Sequence, residues 1–311
     1  MKRNFFRFLL AAAATSAMAL PAFNASAQAQ STRHTTLMVP YAPGGPADVL
    51  ARLIGGPLGQ ELGQPLIVDN LGGAGGVLGA QKVLAEPADG QYLLQASPNE
   101  VILAPAMNPA VRLRADDFVL LRPVVQGVLV LLVNKDIPAR NVDELIALAR
   151  QRADRPLSYG SVGVGSLNHL IMEQVQRETG TRFLHVPYKG SAPLLQDLGG
   201  GQIDVAVVVY GGGGAGLVEK AVMEPIRQVG AQRSQLLRQV PAVNEGRTLP
   251  RMNFTTWSGV MARKGIPEAS AQRLNKALAT VMQSTSLRET LSAQFLAPVA
   301  PASLGEGASF Y

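Results

Sequence analysis

Two turns in the sequence combine glycines with polar groups in a pattern able to hold an anion. The first, "VPYAPGGPAD" over residues 39–48, breaks an apolar run at Gly44 and Gly45 and opens a helical pattern at Pro46. Glycines tolerate positive φ and leave backbone N–H groups unscreened. Proline suits the first helical position, where its nitrogen needs no partner. The opening turn of a helix offers free N–H groups at the positive end of its dipole, and that is an anion site. Asp48 has two readings there: it caps the helix itself, or it accepts from a ligand amine, hydroxyl or bridging water.

The second turn, "GSVGVGSLNH" over residues 160–169, repeats the logic with Ser161, Gly163, Gly165 and Ser166. The Ser166 hydroxyl either caps the following helix or donates to a carboxylate. His169, three residues on, makes a Ser–His pair that invites a hydrolase reading. That reading lacks G-x-S-x-G and an acid placed to orient the imidazole. A third turn, "VPYKGSAP" over residues 186–193, shares Val-Pro-Tyr with the first.

Other chemistries find little support. Gly211, Gly213 and Gly216 fit G-x-G-x-x-G after the strand-like "VAVVVY", but no acidic residue follows about twenty positions on, at the end of the next strand candidate. A glycine-rich hinge or loop is the better reading. No P-loop lysine motif occurs. There is no cysteine, which excludes thiol catalysis, disulfides and thiolate metal sites. The three histidines, His34, His169 and His185, lack metal-ligand spacing. No cofactor and no metal are expected.

The elements that must position these turns alternate. Strand patterns ("TTLMVPY", "PLIVDN", "QYLLQAS", "VLVLLVNK", "LSYGS", "RFLHVPY", "IDVAVVVY", "FTTWSGVMAR") are interleaved with helical ones, among them "NVDELIALARQR" with Asn141 as its cap and Glu144 three residues later. An irregular stretch separates "QYLLQAS" from "VLVLLVNK". Repeated strand–helix–strand units predict an α/β fold with mostly parallel sheets, whose ligands sit at the carboxyl ends of the strands.

At 311 residues, 47% apolar and 16% charged, the chain is a globular one with room for two modest domains. Residues 1–27 read as a secretory signal: Lys2, Arg3 and Arg7, a short alanine-rich apolar run, then Ala25 and Ala27 before a cut. The net charge is +6, of which that segment carries +3, leaving +3 without a basic run. Nucleic-acid binding has little support; a small anion suits the balance.

Six ordered blocks carry a resemblance: "VPYAPGGPADVLAR", "GQPLIVDNLGGAGGVLGAQKV", "ADGQYLL", "LSYGSVGVGSLNHL", "HVPYKGSAPLLQDLGGGQID" and "VPAVNE". From about residue 35 to 300 the chain resembles the Bug family, the periplasmic solute-binding proteins of tripartite tricarboxylate transporters. The resemblance implies a two-lobed Venus-flytrap α/β fold, type II-like, with two crossovers between lobes. It implies lobe 1 over residues 28–125 and 254–311 and lobe 2 over 126–253. It also implies capture of a small carboxylate without catalysis, permease subunits as membrane partners, a monomer, and the periplasm as compartment.

Carried over by position, the first-lobe contacts are Tyr41, Gly44, Gly45, Asp48 and Ser97. Those of the second lobe are Ser161, Gly165, Ser166, His169, Tyr188 and Lys189, with Tyr210 at the end of the strand pattern "IDVAVVVY". The chain departs from the family at Pro46, where a small residue is usual, at Tyr210, where a polar one is common, and after "ASFY", where relatives continue through a last helix. A ligand sensor for a signalling partner and a Ser166–His169 hydrolase are the alternatives.

Overall fold

The computed structural model describes residues 34–220 and 223–300; the expected signal segment and the "ASFY" end lie outside the described residues. The chain begins β1 (Thr35–Val39), α1 (Pro46–Leu62), β2 (Leu66–Asn70), α2 (Val77–Ala85) and β3 (Tyr92–Ala96). A π-helical turn, Asn99–Leu103, leads into α3 (Ala104–Met107) and then β4 (Phe118–Gly127). Only Val128 separates β4 from β5 (Leu129–Asn134), which lies in a second sheet. There follow α4 (Val142–Gln151), β6 (Leu157–Ser161), α5 (Leu167–Thr179), β7 (Phe183–Pro187), α6 (Ser191–Gly199), β8 (Val205–Val209), α7 (Gly213–Glu219) and β9 (Met223–Gln228). The chain then returns to the first sheet with β10 (Thr256–Arg263), α8 (Glu268–Gln283), α9 (Thr285–Ala293) and β11 (Leu296–Pro298).

The first lobe holds a six-stranded sheet in the order β11-β4-β10-β3-β1-β2, and the second a five-stranded sheet in the order β7-β6-β8-β5-β9. Each sheet is covered on both faces. In β5, Leu129, Leu131 and Val133 join a core with Leu145 and Ile146 of α4 and Ile171 and Met172 of α5. Val130 and Leu132 face the other way, onto Leu194, Leu195 and Leu198 of α6. A strand buried on both faces reads as the unbroken apolar run seen in "VLVLLVN".

Three expectations need correction. The sheets are mixed rather than mostly parallel: β2, β1 and β3 are parallel, and so are β7, β6 and β8, but β10 runs antiparallel to β3 and β4, and β5 antiparallel to β8 and β9. The stretch read as irregular contains β4, a ten-residue strand. Its Arg122-Pro123 pair breaks the apolar pattern, and a proline inside a sheet needs a bulge. The bulge is there: Pro123 faces Gly259, with a register shift between Ser258 and Gly259. A Cβ on Gly259 would lie 2.7 Å from the Arg122 carbonyl, so only glycine allows this approach. The third correction concerns the glycine run after β8, which forms the helix α7.

Caps fix the helices that matter to the site. Pro46 starts α1 after Gly45, and Gly63 ends it in the left-handed conformation at φ 66°. Asn141 accepts the Glu144 N–H at 2.9 Å as expected, while the Glu144 carboxylate reaches back to the Arg140 N–H rather than to that of Asn141.

Candidate binding cleft

A cavity of about 90 Å³ lies where the two sheets bring together the carboxyl ends of their parallel strands. The first sheet contributes Gln95, Ser97 and Asn99 at the end of β3, and Tyr41, Gly45 and Ala47 at the entry to α1. Because β10 is antiparallel, with Gly259 opposite Ala96, its first residues reach the same level, so Thr256, Trp257 and Ser258 also line the cavity. The second lobe contributes Val162, Asn168, Ser191 and Val209. Among the described residues that line the cavity, none carries a charged side chain. What they offer is hydroxyls, amides, the first turns of α1 and α6, and apolar surface.

The lobes touch around this cavity. The Leu167 N–H, at the start of α5, donates to Asn99 Oδ1 at 2.8 Å, and the Ala42 N–H donates to the Lys189 carbonyl at 3.1 Å. Gly163, at φ +140°, packs so close to the other lobe that a Cβ would lie 2.6 Å from the Gly75 nitrogen. A side chain there would hold the lobes apart.

Behind the Tyr41–Ser97 wall sits Glu100, with no exposed surface. Its Oε2 accepts from Tyr41 OH and Ser97 Oγ, each at 2.9 Å, and its Oε1 accepts the Ser97 N–H. Burial pushes the Glu100 carboxyl up to about 7 against the hydrogen bonds that favour its ionised form.

The residues expected at the site divide into two sets. Tyr41, Gly45 and Ser97 line the cavity. Gly45 adopts an ordinary extended backbone, with Ser191 across the cleft 3.6 Å from where its Cβ would stand; Gly44 is the turn residue that uses positive φ, at +87°. The others do not line it and have local employment. Asp48 Oδ2 accepts from the Gly44 N–H and Arg52 Nε at 3.0 Å each, and Arg52 Nη2 lies 2.9 Å from Oδ1. Burial works to raise this carboxyl, but the Arg52 and Gly44 hydrogen bonds prevail and hold it below the usual carboxylate range.

Ser166 is fully buried, donates to the Gly163 carbonyl at 2.7 Å and accepts the His169 N–H at 3.4 Å, which is the capping role. Ser161, also fully buried, donates to the Gly163 carbonyl at 3.1 Å and accepts the Gly163 N–H at 3.1 Å, with His185 Nε2 at 2.7 Å. His169 Nδ1 accepts the Gly165 N–H at 3.2 Å, and its ring stacks on His185 at 4.3 Å. Burial lowers the pKa of both imidazoles. Tyr188 OH donates to Asp197 at 2.8 Å, Lys189 is exposed, and Tyr210 packs edge-on against Phe295 at 4.7 Å.

Sequence reasoning passed over Gln95, Asn99, Glu100, Asn168, Ser191, Thr256, Trp257 and Ser258. Two carried a signal. Gln95 is a polar residue inside the apolar "YLLQA" of a central strand, and Asn168 lies on the buried side of a helix that starts at a ligand-facing turn. The Trp257 group could not be placed without knowing that β10 reverses direction.

Residues 50–305 match the tripartite tricarboxylate transporter family receptor. The chain belongs to that family. It is 32% identical to the UPF0065 protein in the tcbD–tcbE intergenic region of Pseudomonas sp. strain P51, over 84% of this chain and 77% of that protein. It is also 32% identical to protein BugT of Bordetella pertussis, over 92% and 86%. Among solved structures, the periplasmic binding protein BugD superposes with a TM-score of 0.83 at 25% identity, over 89% of this chain and 92% of that one. Rpa4515 of R. palustris with adipate superposes at 0.81 with 30% identity (90% and 93% covered), and MatC from Rhodopseudomonas palustris with bound malate at 0.80 with 26% identity (89% and 97%). The two-lobed fold of those binding proteins is the fold of this chain.

Proposed function

We propose that this receptor captures a small carboxylate in the cleft between its lobes and delivers it to the permease subunits of a tripartite transporter, as an exported periplasmic monomer that binds without turnover. The observation that carries the reading is the cavity without charged side chains at which helices α1 and α6 begin. Their first-turn N–H groups have no partner within the helix and favour negative charge. The adipate and malate bound by two similar proteins support the ligand class. In this reading lobe 1 spans residues 28–125 and 254–311 and lobe 2 spans 126–253; Tyr41, Gly45 and Ser97 contact the ligand, and Asn168 and Ser191 close on it. Ser166 and His169 are left out of any reaction, since the serine hydroxyl is buried and bonded to backbone rather than to the imidazole ring.

Charge-assisted hydrogen bonds contribute roughly 1.5–3 kcal/mol each, and closure and immobilisation offset part of that. A dissociation constant on the order of 1 μM is expected. Calorimetry against a panel of mono- and dicarboxylates tests the reading: one saturable carboxylate site with no product formed supports it, and no binding across the panel refutes it.

A further inference from the structure

The hydrogen-bond directions on the first-lobe wall can be fixed one from another. A backbone N–H can only donate, so the Leu167 N–H pins the Asn99 side-chain oxygen toward α5, 2.8 Å away. Asn99 Nδ2 therefore faces Tyr41 and donates to its hydroxyl at 3.0 Å. Tyr41 must accept there, and its single proton goes to Glu100 Oε2. Ser97 Oγ accepts the Asn99 N–H at 3.3 Å and likewise gives its proton to Glu100 Oε2. With Glu100 ionised, as it is above its raised value of about 7, neither hydroxyl keeps a proton for the cavity.

Gln95 follows the same logic from the other side. The Ser258 hydroxyl donates to the Ala96 carbonyl at 3.2 Å, so toward Gln95 it accepts, from Nε2 at 3.4 Å. This leaves Gln95 Oε1 fully buried without a hydrogen bond, in a side chain 2% exposed that lines the cavity. A buried acceptor left unmet is costly, and a ligand that meets it gains accordingly. The wall made by Tyr41, Gln95 and Ser97 is thus an acceptor wall, backed by a carboxyl and faced by no cation, while the helix starts of α1 and α6 supply donors.

We propose that the ligand is a carboxylate that also carries a hydrogen-bond donor (an ammonium, hydroxyl or amide N–H) and no second negative charge, its donor taken by Gln95 Oε1 and the Tyr41 and Ser97 oxygens. This rests on the carboxylate reading above and narrows it. A second carboxylate against this wall would meet lone pairs and Glu100 instead of protons.

The test is calorimetry at about pH 8 with matched probes: leucine against 4-methylpentanoate, 4-hydroxybenzoate against benzoate, and adipate and malate as dianions. At least one donor-bearing monocarboxylate is expected to bind about tenfold or more tighter than its donor-free partner and tighter than both dianions. Gln95→Met, of similar shape but without the acceptor, should erase that ratio by weakening the donor-bearing acid about tenfold or more. Glu100→Gln offers a check that leaves Gln95 intact: its amide donates to the two hydroxyls, returns their protons to the cavity, and should shift preference toward the donor-free acid. Donor-free acids or dianions binding as tightly as their donor-bearing partners, or a ratio that survives Gln95→Met, would overturn the proposal and leave the carboxylate reading standing. Binding of no probe would instead remove the carboxylate reading itself, and this inference with it.

Discussion

Asp48 and Glu100 are two acids buried at strand-to-helix turns of one sheet, 4% and 0% exposed, and they titrate in opposite directions. Asp48 has a guanidinium and a backbone N–H at hydrogen-bond distance. Glu100 has two hydroxyls and one backbone N–H, and no cation among its hydrogen-bond partners. Burial raises both; only Asp48 has a positive charge to reverse it. The difference separates a turn built to hold itself from a turn that holds other groups in readiness. Asp48 spends its lone pairs on the start of α1, whereas Glu100 spends the protons of Tyr41 and Ser97, which line the cavity.

The largest expected effect breaks the pair apart by pH. The Glu100 carboxyl is raised from 4.5 to about 7 in the folded protein. Between those values the unfolded chain has released a proton that the folded protein keeps, so stability falls as pH rises through this window. The loss approaches roughly 3 kcal/mol by pH 8. Urea unfolding of the parent and of Glu100→Gln at pH values from about 5 to 8 should show the parent's extra slope vanish in the variant. Parallel slopes would mean that Glu100 ionises near its ordinary value and is not the proton reservoir described.

Asp48 carries the opposite sign. Its carboxyl is depressed, so the stability it confers is present above its ordinary value of about 4 and is lost as pH falls through the folded value. Asp48→Asn keeps an acceptor for the Gly44 N–H and removes the charge that Arg52 faces. A cost of about 1–2 kcal/mol at neutral pH, shrinking as pH falls below the ordinary carboxylate range, is expected from denaturant midpoints. A cost that persists unchanged in acid would make the side chain's shape, not its charge, the cause.

These two acids also mark how far the sequence could be read. The turn around Asp48 was legible because all its signals are local: glycines, a proline at the first helical position, an acid in the first turn. The Asn141 cap was legible for the same reason, as was the strand–helix alternation, whereas at Ser166 the same local signals allowed a cap and a ligand contact alike. Glu100 lies in "SPNEVIL", which has no periodicity to fix its direction, and its partner Tyr41 is 59 positions away in the chain. Trp257 and Ser258 reach the cavity only because β10 runs antiparallel, a fact that no window of residues contains. β4 was hidden by Pro123, which a central strand accepts because Gly259 lies opposite it. Residues whose role depends on their own turn were readable; those that depend on a strand's direction or a distant partner were not.

A smaller effect sharpens the same distinction between self-holding and ligand-facing groups. Ser166→Ala removes a cap whose hydroxyl points into its own turn, so it should cost about 1 kcal/mol of stability and leave affinity for the best carboxylate unchanged. Ser97→Ala touches the cavity wall and should weaken that affinity severalfold, about 1 kcal/mol. Thermal unfolding and calorimetry on both variants separate the cases. A Ser166→Ala protein with parent stability and impaired binding would place its hydroxyl on the ligand.

The smallest expected effect is at Lys189, and it concerns whether charge or hydrogen-bond direction selects the ligand. Its side chain is exposed, and its recorded tie across the cleft is its backbone carbonyl, which any residue supplies and which accepts the Ala42 N–H at 3.1 Å. If the ligand's carboxylate is met by helix starts and neutral groups, deleting this ammonium removes only a screened, long-range attraction, a few tenths of a kcal/mol at physiological salt. Lys189→Ala should therefore bind the best carboxylate within about twofold of the parent, with the slight loss fading as salt is raised. A tenfold loss that persists at high salt would show the ammonium reaching into the closed cleft, and the contrast between a cation-held acid at Asp48 and a cation-free cavity would no longer hold.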